Sequence, residues 1–214
     1  DGVTDVVVFS DGDGADTITD TAGANTLKGG LGNDIISGRC TFEGGKGDDT
    51  ISGKDTWSGD TYVFNLGDGK DTIADYGVSN ATGHSGTNLD DTLKFGPGIN
   101  ASDITLNRSG NDLIFTVSPS DQVTVKDWFV NNYQYIEKIQ FSDTTTWDIT
   151  KLKTLVPAVY NGASVAETIN GWDGIDNING LAGNDTINGL AGNDIIDGGD
   201  NDDTIDAGDG NDQV

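Results

Sequence analysis

The sequence predicts an all-β fold: short strands stacked as parallel coils in two repeat blocks, interrupted by a small, mostly antiparallel β insert. Three observations predict it. Near the C-terminus an acidic residue and an aliphatic one two places later recur every nine positions, at Glu167/Ile169, Asp176/Ile178, Asp185/Ile187, Asp194/Ile196, Asp203/Ile205 and Asp212/Val214. Glycine makes up 32 of the 214 residues and clusters between these pairs. From about residue 85 to 155 glycine thins out and apolar and polar residues alternate instead.

In the cleanest copies, 180–188 (GLAGNDTIN) and 189–197 (GLAGNDIID), a glycine-rich loop is followed by a strand of only three residues. Glycines at the first and fourth places permit positive φ and close backbone approach, so carbonyl oxygens can turn toward a common point. Oxygen is the donor that a hard cation takes. In a three-residue strand only the middle side chain points inward, and that place holds Ile169, Ile178, Ile187, Ile196, Ile205 and Val214, all β-branched. This aliphatic column is expected to be the whole core of the C-terminal block, residues 158–214.

The N-terminal block, residues 1–79, is less regular. Its acidic or amide places fall at Asp5, Asp16, Asn25, Asp34, Asp49, Asp60 and Asp71. Segments 4–20 (TDVVVFSDGDGADTITD) and 59–75 (GDTYVFNLGDGKDTIAD) copy one another, and the longer strands expected at 6–9 and 62–64 would widen the coils and cap the narrow ones. Between the blocks, residues 80–157 open with a Gly/Ser/Asn/Thr-rich connection, 76–87, followed by strands expected at 92–95, 104–107, 113–117, 123–128, 136–141 and 146–149. Turns are expected at Pro97-Gly98, Asn111-Asp112 and Ser142-Asp143. An insert of this size is marginal alone, so its Trp128, Phe129, Phe141 and Trp147 are expected to pack against a neighbouring repeat block.

Formal net charge is −25, from 36 acidic and 11 basic residues, and hydrophobic residues are 34% of the chain. Little apolar surface offsets the entropy of folding, and acidic self-repulsion opposes collapse, so the composition is that of a conditionally folded chain. Counter-cations resolve this: roughly six to nine Ca²⁺ would remove about twelve to eighteen units of charge and turn binding energy into folding energy. The same acidity excludes nucleic acid and anionic membrane surfaces as partners. The chain has no Met and starts at Asp1 without a signal-peptide pattern, which reads as a processed or partial sequence. A single cysteine, Cys40, excludes an internal disulfide framework.

The nonapeptide G-G-x-G-x-D-x-U-x is the calcium-binding RTX repeat of β-helical proteins. Residues 29–37 (GGLGNDIIS) and 44–52 (GGKGDDTIS) match every specified place, and 198–206 (GGDNDDTID) lacks only the third glycine. The chain therefore resembles the RTX family. Its insert resembles the haemolysin-type calcium-binding-protein-related domain, through DDTLKFGPGI (90–99), SDITLNRSGNDLIF (102–115), VTVKDWF (123–129) and IEKIQFSDTTTW (136–147). Where that family carries Asp-Gly after the aromatic residue, this chain has Asp143-Thr144.

The resemblance implies a right-handed parallel β-roll, two nonapeptides to a coil, with calcium between loops stacked on the same side. Asp176, Asp194 and Asp212 would then line one edge, and Asp185 and Asp203 the other. Asp16, Asp34, Asp49 and Asp71 would serve likewise in the first block. Carbonyls expected to complete the sites are those of Gly29, Gly44, Gly180, Ala182, Gly189, Ala191 and Gly198. Glu167 ends a loop with Val165 in a glycine place, and so reads as a degenerate end repeat.

Catalytic readings find little support. His84 lies in GHSG, without the spacing of a nucleophile elbow. Cys40 has no acid–base partner nearby in sequence and reads as a small structural residue. The pairs Asp48-Asp49, Asp90-Asp91 and Asp202-Asp203 are explained by metal binding and solvated faces rather than by glycosidase chemistry. The stretch DGDGAD at 11–16 lacks the distal glutamate of an EF-hand, since that place is Ala22. The prolines follow Gly96, Ser118 and Val156, so the Asp-Pro self-cleavage of some RTX proteins has no bond to act on here.

The expectation is a non-enzymatic calcium-binding module, secreted or at a bacterial cell surface, that folds on Ca²⁺ after type I secretion. Its partners would be calcium ions and, in the parent protein, the type I secretion machinery. A surface adhesin with a host ligand, for which Trp57 and Trp172 are the first candidates, and a secretion appendage of a toxin or enzyme are the alternatives.

Overall fold

The computed structural model describes residues 6–8, 14–20, 25–53, 59–75, 91–130 and 136–214. Expectations placed on Asp5, Phe9, Asp11, Trp57, His84, Asp90 and the connection 76–87 lie outside them. The chain forms two compact units, residues 1–148 and 149–214. Both are stacked parallel β-coils with almost no helix, the all-β solenoid that the repeat predicts. Among the described residues no helix is long and apolar enough to cross a membrane.

In the first unit β1 (Val6–Val8), β2 (Thr17–Thr19), β3 (Asn25–Leu31), β4 (Ile35–Gly38), β5 (Cys40–Lys46), β6 (Thr50–Gly53), β7 (Thr61–Phe64) and β8 (Lys70–Asp75) alternate between two sheets. Within each sheet all pairings of these strands are parallel. The strand alternation places one row of apolar residues inside each sheet. Leu27, Phe42 and Tyr62 are in register on one side, and Ile18, Ile36, Ile51 and Ile73 on the other, all buried.

The segment with the alternating pattern continues this stack. β9 (Thr92–Phe95) pairs in parallel with β7, β12 (Gln122–Val125) with β8, and β13 (Lys138–Gln140) with β9. Leu93 and Ile139 extend one apolar row, and Val125 and Leu113 the other. The direction reverses only at the outer strands. β10 (Thr105–Ser109) and β11 (Asp112–Thr116) form an antiparallel hairpin beside β12, and β14 (Thr146–Asp148) runs antiparallel to β13. The aromatic residues carry the join: Phe64 meets Phe95 edge-on at 6.0 Å, Phe95 stacks on Phe141 at 5.3 Å, and Phe141 meets Trp147 at 4.6 Å. Trp128 is fully buried and Phe129 lies under the Arg108 guanidinium at 4.1 Å.

Predicted strand positions agree with the structure to within a few residues. The stretch expected to run through 128 stops at Val125, because Lys126 to Val130 turn and Asp127 takes a positive φ of 54°. The turn at Ser142-Asp143 forms with Thr144 at φ 70°, a left-handed conformation that glycine adopts without strain.

The second unit opens with α1 (Ile149–Lys153), which the sequence reading left out. It continues through β15 (Ala158–Asn161), β16 (Thr168–Asn170), β17 (Asp176–Asn179), β18 (Thr186–Asn188), β19 (Ile195–Asp197) and β20 (Thr204–Asp206). The expected single aliphatic column is in fact two facing rows, because successive nonapeptides enter opposite sheets. Tyr160, Ile178 and Ile196 are in register in one sheet, and Ile169, Ile187 and Ile205 in the other. Val214, expected inside, is exposed. Trp172 is packed rather than displayed: its ring lies under the Lys153 ammonium at 4.8 Å, and its indole N–H reaches the Ile175 carbonyl at 3.4 Å.

Candidate metal sites

The loop aspartates form carboxylate ladders along the edges of both units. In each rung the main-chain N–H of one acidic residue donates to Oδ1 of the aspartate one coil later. Asp16 donates to Asp34 and Asp34 to Asp49, both at 2.8 Å, and Asp49 to Asp71 at 3.1 Å. In the second unit Glu167 donates to Asp185 at 3.0 Å and Asp185 to Asp203 at 2.9 Å along one edge. Along the other, Asp176 donates to Asp194 at 2.9 Å and Asp194 to Asp212 at 3.0 Å. Each of these second-unit rungs spans 18 residues, the two-nonapeptide coil.

At Asp34, Asp49, Asp185 and Asp194 one carboxylate oxygen is thus used in the ladder and the other is left over, while Asp176 accepts the Trp172 main-chain N–H on Oδ2 and leaves Oδ1. Oδ2 of Asp16, Asp34, Asp49, Asp185 and Asp194, and Oδ1 of Asp176, are buried without a hydrogen-bond partner. A buried ionised oxygen with no partner is among the costliest things a fold can hold. Six of them in a repeating position, in a chain of net charge −25, call for a positive charge.

The loop-opening glycines show what faces those oxygens. A Cβ on Gly180 would lie 2.5 Å from the carbonyl oxygen of Gly198 and 2.9 Å from Asp185 Oδ2. One on Gly189 would meet Asp194 Oδ2 at 2.8 Å and the Ala207 carbonyl, and one on Gly29 would run into Asp34 Oδ2 and the Gly44 carbonyl. Gly171 faces the Gly189 carbonyl at 2.7 Å in the same way. Carboxylate and carbonyl of successive coils therefore converge where the first glycine leaves room. Oxygens gathered in this way suit a hard cation such as Ca²⁺.

The first place is glycine for this close approach, not for its φ. Positive φ falls at the second and fourth places, as at Gly30 (109°) and Gly32 (114°), and where the second place is not glycine it is kept by Leu181 (74°) and Leu190 (78°). Of the carbonyls expected as donors, those of Gly44, Gly180, Gly189 and Gly198 meet the loop carboxylates or the loop-opening glycine of the coil before, as Gly180 does at Gly162. Ala182 and Ala191 form isolated bridges with Asp200 and Asp209, made by the Leu181 and Leu190 carbonyls and the Gly183 and Gly192 N–H groups, so their own carbonyls take no part in them. The Ala207 carbonyl was overlooked, although it holds the first place of its copy, 18 residues after Gly189. Among the described residues no group of three or more His, Cys, Asp or Glu closes into ligating geometry.

Burial raises several of these carboxyls. Asp71 is pushed up to about 8, Asp176 to about 7 and Asp49 to about 6, in each case first by desolvation, while main-chain hydrogen bonds pull the other way. Desolvation raises Asp194 as well. The other edge of the first unit carries a further ladder. Cys40 donates its N–H to Asp60 Oδ1 at 2.7 Å, Asp60 to Asp91 Oδ1 at 2.6 Å, and Asp91 to Glu137 Oε2 at 2.8 Å. Cys40 thus occupies a rung, buried, with its thiol pushed up to about 12 by desolvation and by the charges of Asp60 and Asp20. Uneven coil lengths hide this second ladder from any fixed period, since its rungs span 20, 31 and 46 residues.

Known proteins share both parts of this arrangement. Residues 10–39, 41–55, 162–196 and 179–214 match the RTX calcium-binding nonapeptide repeat, and residues 112–151 match the haemolysin-type calcium binding protein related domain. The chain carries RTX calcium-binding nonapeptide repeats. A curated relative is the iron-regulated protein FrpA of Neisseria meningitidis serogroup C, 36% identical over 108 residues, which are 48% of this chain and 9% of that protein. The chain thus spans a small part of that relative's length, and its RTX repeats coincide with the coils whose carboxylate oxygens lack partners.

Proposed function

We propose that this chain is a calcium-driven folding module of a larger secreted bacterial protein: unfolded where calcium is scarce, as during type I secretion, and folded outside the cell. The ligands on this reading are Asp16, Asp34, Asp49, Asp71, Asp176, Asp185, Asp194, Asp203 and Asp212, with first-place carbonyls of the neighbouring coils. One observation carries the reading: in coil after coil a buried carboxylate oxygen without a partner faces a main-chain carbonyl of the next coil. Two like partial charges held together need a cation between them.

The chain's work on this reading is structural, not catalytic. Roughly six to nine ions with dissociation constants on the order of 10⁻⁴ to 10⁻³ M would keep it unfolded in the cytosol and folded in millimolar calcium. Circular dichroism during a calcium titration of metal-stripped protein tests it. The expected result is coil without calcium and a cooperative gain of β signal over that concentration range, and a spectrum indifferent to calcium overturns it.

A further inference from the structure

Beyond the repeat ladders, the first unit gathers oxygens at a point where the nonapeptide pattern supplies none. β4, β6 and β8 are in register so that Gly38 pairs with Gly53, and Gly53 with Asp75. An aspartate thus takes the row that glycine holds in the two preceding coils. A Cβ on Gly53 would lie 2.7 Å from Asp60 Oδ2 and 2.7 Å from Asp75 Oδ1, and would overlap the Tyr62 hydroxyl. These groups are almost fully buried: Tyr62 and Asp60 are each 1% exposed and Asp75 2%.

The Tyr62 hydroxyl lies against the Asp75 carboxyl but makes no hydrogen bond of good geometry, and Asp75 Oδ2 has no partner at all. The Asp91 carboxyl lies against Asp75 and accepts the Asp60 main-chain N–H on Oδ1 at 2.6 Å, which brings a third carboxyl to the same point. Burial, the Asp91 contact and the charges of Asp91, Asp60 and Glu137 together raise the Asp75 carboxyl well above the ordinary carboxylate range. In the structure the three carboxyls are not closed around a common centre.

We infer that Asp60, Asp75, Asp91 and the Tyr62 hydroxyl form a separate divalent-cation site, in which a side-chain carboxylate at a glycine place and a phenol oxygen replace the main-chain carbonyls of the repeat sites. A calcium-sized ion takes six to eight oxygens at about 2.3–2.6 Å. Three carboxylates and a phenol supply most of that number. The site ties β6, β7, β8 and β9 together at one edge, where the roll passes into its closing strands.

The test counts ions bound to the whole chain by equilibrium dialysis against CaCl₂ with elemental analysis, for wild type, Asp75→Asn, Tyr62→Phe and Asp185→Asn. Asp75→Asn is expected to bind one calcium fewer, with the remaining ions at unchanged affinity. Tyr62→Phe, which removes a single oxygen and leaves the ring in place, is expected to weaken one site on the order of tenfold, and it decides the matter should Asp75→Asn fail to fold. Undiminished count and affinity in these two variants overturn the inference, and if Asp185→Asn still loses calcium the reading of the repeat sites stands without it. A wild-type chain that binds no calcium overturns both.

Discussion

The main-chain N–H of Asp185 donates to Oδ1 of Asp203 at 2.9 Å, 18 residues further on, while Oδ2 of Asp185 is buried with no partner. The same carboxylate type thus does two jobs one coil apart: one oxygen fixes the stacking register and the other waits for a counter-charge. Asp185→Asn separates them. The amide oxygen can still accept the Glu167 N–H, but the charge is gone. Half-saturation of folding by calcium is expected to rise on the order of tenfold, as calcium titrations followed by circular dichroism would show.

Gly180→Ala attacks the same site from the other side. Its methyl group would stand 2.5 Å from the Gly198 carbonyl and 2.9 Å from Asp185 Oδ2, so the cradle is filled before an ion can enter. Calorimetry should find fewer calcium ions bound. Thermal unfolding in calcium should show a destabilisation on the order of 1–3 kcal/mol, the range for forcing extra volume into packed structure.

Leu181 and Leu190 sit at φ 74° and 78° and are 40% and 45% exposed. A left-handed conformation costs an L-residue roughly 1–2 kcal/mol, partly offset because glycine frees the unfolded chain. Replacing either with glycine is expected to stabilise the calcium-loaded form by up to about 1 kcal/mol, measured by denaturant titration. A loss of stability would show that these leucines contribute packing that their exposure does not suggest.

Acid is expected to substitute in part for calcium. Asp49, Asp176 and Asp71 have folded-state values of about 6, about 7 and about 8, against an ordinary 3.8. Between those limits the folded state holds more protons than the unfolded state, so stability falls as pH rises. The contribution is full below about pH 4 and lost on passing through the folded values. Metal-stripped protein should therefore show more β signal at pH 5 than at pH 8, and the reverse order would contradict the assigned burial.

The nonapeptide made the second unit readable. A fixed period carries both the strand position of Ile178, Ile187 and Ile196 and the edge position of Asp176, Asp194 and Asp212. What it concealed was the pairing of alternate isoleucines in two sheets, which follows from coil geometry rather than from residue type. In the first unit the rungs Asp60, Asp91 and Glu137 are separated by coils of unequal length, so no period links them, and only parallel registration of β5, β7, β9 and β13 does. The alternating pattern of the insert gave its strands but not their direction. Alternation reports burial of one face, and it reads the same in a parallel pair such as β9 with β13 as in an antiparallel one such as β10 with β11.

Anomalous X-ray scattering from crystals grown in calcium measures the central claim most directly. The account predicts anomalous peaks between successive coils along the ladder edges, each contacting a loop carboxylate such as Asp185 or Asp194 and a first-place carbonyl such as Gly198 or Ala207. Ordered coils in millimolar calcium, with water or nothing at those oxygens, would contradict it.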